Sequence, residues 1–82
     1  LVNVPDGVVV LVRQGCHLCD DALTVVADVC SAAGRTWTTV DVDTDPELRA
    51  TYTDHVPVTI VDGDVLSYWF VDQELLAAAL SR

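Results

Sequence analysis

The spacing of apolar residues changes several times along the chain, and each change predicts an element. Val8-Val9-Val10-Leu11-Val12 is a β-branched run, too short for a helix and apolar on both faces, which predicts a central strand covered on each side. Asn3-Val4-Pro5-Asp6-Gly7 ahead of it is turn-rich. Gln14-Gly15 breaks the run, and from Cys16 or His17 the spacing becomes helical, with Cys19, Leu23, Val26, Cys30 and Ala33 recurring three and four residues apart. Gly34 supplies the stop. Thr36 to Asp43 then alternates, with Thr38, Val40 and Val42 on one face, as a half-buried edge strand does. Two strands joined through a helix of this length form a parallel pair, so the chain up to Asp43 reads as one βαβ unit.

Asp45-Pro46-Glu47 has the order of an N-cap followed by proline at the first helical position, opening a short helix to Tyr52. Asp54-His55-Val56-Pro57 interrupts, Val58 to Val61 is the next strand, and Asp62-Gly63 is a hairpin turn that leads into a return strand from Asp64 to Trp69. Asp72 caps a last helix, Gln73 to Leu80, with Leu75, Leu76, Ala79 and Leu80 as its apolar side. The order βαβαββα predicts an α/β fold with a four-stranded mixed sheet in spatial order two, one, three, four. Three helices flank it, the first and third on one face and the second on the other.

Length and charge narrow the function classes. Eighty-two residues is room for one domain, here residues 1–82 without repeat or linker. The longest apolar run is far short of the roughly 20 residues that span a bilayer, and no basic flank precedes it, so neither a transmembrane segment nor a signal peptide is expected. Thirteen acidic residues against four arginines and no lysine give a formal charge of -9, which repels phosphate backbones and anionic lipid. Nucleic acid and membrane are therefore not expected partners. Three cysteines do not make the even, dispersed framework of a stapled secreted domain, and the odd count favours a reducing compartment. The expectation is a cytoplasmic monomer.

In that setting Cys16-x-x-Cys19 is the informative motif, because it lies where a strand hands over to a helix. A helix N-terminus carries unpaired amide hydrogens and about half a positive charge, which stabilise a thiolate. Thiols in this spacing at helix N-termini titrate at roughly 3.5 to 7.5, against about 8.5 for free cysteine. Cys16 is the expected nucleophile. Cys19, one turn further in and directed towards the interior, is the expected resolving thiol. Arg13 and a protonated His17 favour the thiolate; Asp20 and Asp21 oppose it, or serve only to complement the helix dipole.

The alternatives are a zinc half-site, which lacks its other two ligands, a metal or iron-sulfur site shared between two chains, or an inert pair. Cys30 cannot complete a site, since eleven residues along one helix is about 16 Å, and it reads as a small buried core residue. Asp41-Val42-Asp43-Thr44-Asp45 starts like a calcium loop but has Pro46 where glycine is needed and Tyr52 where a bidentate glutamate is needed. His55 reads as a loop histidine, with approach to the cysteine site as the alternative. Trp37, Trp69 and Phe70 are assigned mostly to packing, with Trp69-Phe70 also a candidate partner-binding surface.

The strand, then Gln14-Gly15-Cys16-His17-Leu18-Cys19 opening a helix, then Val56-Pro57 before a strand and hairpin, resembles the glutaredoxin and thioredoxin superfamily. Gly-Cys-His-Leu-Cys-Asp together with Val40-Asp41-Val42-Asp43-Thr44-Asp45-Pro46-Glu47-Leu48 is similar to small bacterial glutaredoxin-like proteins. The resemblance implies a thioredoxin fold, a cis Pro57 facing the cysteine pair, and a Val56 whose backbone hydrogen-bonds a bound peptide or glutathione. It also implies thiol-disulfide oxidoreductase activity on protein disulfides or mixed disulfides, with glutathione or another low-molecular-weight thiol as co-substrate and a reductase or small thiol as electron donor. Arg13 stands near the lysine of glutathione-using relatives and would pair with a carboxylate, while Asp72 would meet an α-amino group. Tyr68-Trp69-Phe70-Val71-Asp72 replaces their Gly-Gly segment, and His17-Leu18 replaces the dipeptide that tunes reduction potential. A non-catalytic binding module, either a metal or iron-sulfur carrier or an adaptor, is the competing reading.

Overall fold

Strand β1, Val8–Val12, has four consecutive buried residues, and its side chains divide between two cores. The computed structural model describes residues 6–81, so Asn3-Val4-Pro5 of the expected turn-rich opening lie outside the described residues. Val8 and Val10 point to one face and Val9 and Leu11 to the other. Helix α1, His17–Ala33, and helix α3, Gln73–Leu80, cover the first face through Val26, Val29, Cys30, Leu76 and Leu80. Helix α2, Pro46–Tyr52, covers the second through Leu48 and Tyr52.

The sheet has the order β2-β1-β3-β4. Strand β2, Trp37–Asp41, runs parallel to β1, while β3, Val58–Val61, pairs antiparallel with both β1 and β4, Asp64–Tyr68. This is the expected mixed sheet and helix distribution. The hairpin turn places Asp62 at φ 50° and Gly63 at φ 88°, two successive left-handed residues that match the twist of the flanking strands. The caps follow local chemistry. Gly34 ends α1 at φ 69°, donating its N–H to the carbonyls of Cys30 and Ser31. Asp45 and Asp72 each accept from two amides of the first turn of α2 and α3.

Four expectations are corrected. Strand β2 stops at Asp41 rather than Asp43, because the Asp41 carboxylate accepts the Asp43 amide at 2.9 Å and turns Val42–Thr44 into a 3-10 turn. Strand β4 stops at Tyr68, since Trp69 adopts φ 63°. The stripe of α1 runs through Cys19, Ala22, Val26, Val29 and Cys30, with Leu23 at its margin and Ala33 exposed. In α3, Leu76 and Leu80 carry the burial while Leu75 is 48% exposed.

Leu76 joins α3 to the sheet with no exposure. Leu76→Ala is expected to destabilise the protein by about 2–5 kcal/mol, read as a lower denaturant midpoint at unchanged slope.

Candidate functional site

The register of the sheet gathers four connections at one end. Val12 pairs with Asp41, Leu11 with Val58, and Val58 with Tyr68. The segments 13–16, 42–45, 55–57 and 69–71 therefore emerge side by side, and α1 begins among them.

Cys16 is the N-cap of α1, in extended conformation, and its Sγ accepts the amide of Cys19 at 3.1 Å. Sulfur here takes the place of the oxygen that serine or aspartate supplies at other caps. Cys16 and Cys19 are joined as a disulfide, with Cα atoms 5.2 Å apart. Cys16 is half-buried and Cys19 buried, so the first sulfur is the one solvent can reach. Of the residues between them, His17 is exposed and Leu18 half-buried. Asp20 stands in the first turn, where its charge complements the helix dipole and opposes a thiolate at the same helix end.

The Val56-Pro57 peptide bond is cis, as the resemblance implies. Pro57 is buried and Val56 half-buried, and the Pro57 carbonyl accepts the Trp69 amide at 2.8 Å. Asp72 follows two residues after Phe70; one of its carboxylate oxygens accepts the amides of Glu74 and Leu75 at 2.9 and 3.1 Å. Its helix-capping role is thus in place.

The guanidinium of Arg13 is engaged by Asp43 and Thr53. Its Nε and Nη2 donate to the Asp43 carboxylate, both at 3.0 Å, while Nη1 and Nη2 donate to the Thr53 carbonyl and hydroxyl at 2.9 and 2.6 Å. The hydrogen bond to Asp43 raises the guanidinium pKa further above its ordinary value, with the charges of Asp43, Asp54 and Asp41 adding to it against partial desolvation. The residue expected to meet a carboxylate of the substrate already meets one of the chain's own.

Sequence reasoning undervalued the aromatic side of the site. Trp69 and Phe70, assigned mostly to packing, are 44% and 70% exposed. Trp69 occupies a left-handed conformation that costs a residue with a Cβ roughly 1–2 kcal/mol. Three contacts hold it there: the amide bond to Pro57, an indole Nε1 bond to the Asp54 carbonyl at 3.0 Å, and stacking on His55 at 5.8 Å between ring centroids. His55 also lies 5.1 Å from the Tyr68 ring, and its Nδ1 is buried without a hydrogen-bond partner. His55 is thus a loop histidine packed between the Tyr68 and Trp69 rings. The signal in the sequence was the bulky Trp69-Phe70 pair, standing where the resemblance to glutathione-using glutaredoxins implies Gly-Gly.

This architecture, with a disulfide at the N-terminus of the first helix beside a cis-proline loop, is the thioredoxin fold. Fasciola hepatica thioredoxin matches with a TM-score of 0.60 and 26% identity over 92% of this chain and 77% of that one. The protein XcR50 from X. campestris matches with a TM-score of 0.75 and 30% identity over 92% of this chain and 96% of that one. Uncharacterized protein Rv0508 of Mycobacterium tuberculosis is 38% identical over 77 residues, covering 88% of this chain and 79% of that protein. The family model of the glutaredoxin-like domain (DUF836) matches residues 7–81, and the chain belongs to that family.

Among the described residues no group of three or more His, Cys, Asp or Glu side chains is arranged to hold a metal ion, and no helix is long and apolar enough to cross a membrane. Cys30 is free, with no exposure, and burial pushes its thiol pKa up, partly offset by the charge of Arg35. Its folded pKa lies above the unfolded one, so the associated stability is complete below the ordinary thiol range and is lost as pH rises through it. Raising pH past about 9 is expected to lower the denaturant midpoint of the oxidised protein by more than in Cys30→Ala.

Proposed function

We propose that this protein is a dithiol oxidoreductase that exchanges its Cys16-Cys19 couple with protein disulfides or with mixed disulfides of a small thiol. The single observation that carries the reading is the half-buried Cys16 sulfur at the N-cap of α1, bonded by the Cys19 amide and joined to the buried Cys19 sulfur. An amide aimed at sulfur from a helix N-terminus stabilises the thiolate more than the thiol, which lowers the pKa and makes Cys16 the attacking group. Family membership supports the same reading.

In the reduced protein, the Cys16 thiolate attacks one sulfur of the substrate disulfide, and the other sulfur leaves as a thiolate that is protonated by solvent. Cys19 then gives up its proton, attacks Cys16 Sγ and releases the second substrate thiol. Two electrons have passed from the dithiol to the substrate, and the Cys16-Cys19 disulfide must be reduced by a low-molecular-weight thiol or a reductase, in a reducing cytoplasmic setting. His17, Leu18, Val56, Pro57 and Asp72 frame the entry of substrate. Arg13 is assigned instead to tying the segment after β1 to Asp43 and Thr53, because those contacts engage its guanidinium.

Equilibration in graded thiol/disulfide buffers, followed by thiol trapping and mass spectrometry, is expected to show a reversible two-electron midpoint between about -270 and -180 mV. Cys16→Ser is expected to abolish disulfide reduction, and Cys19→Ser to accumulate a mixed disulfide on Cys16. A pair that stays reduced across the whole buffer series, or that purifies with zinc or an iron-sulfur chromophore, would replace this reading with a carrier or adaptor.

A further inference from the structure

The connection between β4 and α3 builds a surface beside the disulfide that thiol exchange alone does not require. Trp69, Phe70 and Val71 face Leu18, Asp21, Ala22 and Val25 of α1 across a groove of about 180 Å³. Leu18 lies between the two cysteines, so the groove opens next to the reactive pair. Its far wall is fixed, because Trp69 is bonded through its amide and its indole and stacked on His55. Phe70 stands on that wall at 70% exposure.

The charge around the groove has one sign. Asp21 lines it, and Asp20 and Asp72 adjoin its walls along the chain. No arginine lines it among the described residues. Arg13 is engaged by Asp43 and Thr53, Arg35 lies 3.9 Å from Asp62 at the opposite end of the sheet, and Arg49 belongs to α2 on the other face. A small thiol bearing two free carboxylates, such as glutathione, would set both against this acidic rim with no fixed cation to receive them. In a polypeptide those carboxylates are replaced by amides, and Val56 offers an amide and a carbonyl that form no backbone hydrogen bond within the described residues.

We propose, resting on the redox reading above, that the disulfide substrate is a protein segment carrying an apolar side chain and a basic residue close to its half-cystine. The apolar side chain enters the Leu18-Trp69-Phe70 groove and the basic residue meets the acidic rim. The reaction is the exchange already described: the substrate disulfide is reduced to two thiols as the Cys16-Cys19 dithiol is oxidised, with no further reactant.

The test uses pre-reduced full chain in single turnovers, acid-quenched and thiol-trapped, with four probes. These are a short cystine peptide bearing leucine and arginine beside the cystine, the same peptide with aspartate for arginine, glutathione disulfide, and the neutral bis(hydroxyethyl) disulfide. The basic peptide is expected to react at least about tenfold faster than the acidic peptide and glutathione disulfide, with the gap narrowing at high salt. In Phe70→Ser and Trp69→Gly, the rate with the basic peptide relative to bis(hydroxyethyl) disulfide is expected to fall about tenfold, whatever the absolute rates. Glutathione disulfide reacting as fast as the basic peptide, or an unchanged ratio in both variants, would overturn the substrate assignment while leaving the redox reading intact. Failure of wild type to react with any probe, the neutral one included, would overturn the redox reading itself.

Discussion

Strand β1 has no solvent face, and the rest of the molecule is arranged around that fact. Four consecutive apolar residues, Val8 to Leu11, must be covered from both sides, so a chain of this size needs helices on each face of a small sheet. The two cores share β1 and β3 and otherwise recruit different helices. Because β1 is central, the residue after Val12 emerges in the middle of one end of the sheet, flanked by the end of β2 and the beginning of β3, with the end of β4 one strand further out. Whatever follows β1 is surrounded by three other connections, and here the chain places a cysteine pair there.

The position of the pair joins a folding device to a chemical one. An N-cap must accept an amide of the first helical turn, and at Cys16 the acceptor is sulfur. A neutral thiol is a weak acceptor and a thiolate a strong one, so in the reduced protein the cap is best satisfied by the thiolate. Asp20 and Asp21 temper this, and Arg13 is drawn to Asp43 instead of relieving them. The positive potential at Cys16 thus comes from the helix end itself.

Elements whose local chemistry and burial agree were legible in the sequence. The two-sided apolar run of β1, the glycine stop at Gly34, the Asp-Pro opening of α2 and the Asp-Gly hairpin turn each have one cheap conformation, and the structure adopts it. The errors occur where a side chain competes with the backbone or where tertiary contact decides. Asp41 draws the Asp43 amide out of a strand that alternation alone would continue. Arg13 lies near the cysteines in sequence, but Asp43, thirty residues away, and Thr53, forty away, decide where its guanidinium goes. In α3, Leu75 is as apolar as Leu76 and differs only in facing outward, which an eight-residue helix with three successive alanines does not specify.

Trp69 is the instructive failure. Val65 to Phe70 is rich in strand formers, and nothing local says that the strand must stop before Trp69. What stops it is a left-handed residue of a type that pattern reading assigns to glycine or asparagine. Such a conformation persists only where surroundings over-determine it, and the Pro57 carbonyl, the Asp54 carbonyl and the His55 ring do so. Glycine would occupy the same backbone without strain, so the fold does not need tryptophan at this position. The indole instead holds one wall of a groove beside the disulfide and leaves Phe70 facing solvent. The strain at Trp69 is thus retained for an exposed aromatic surface beside the disulfide and not for the core.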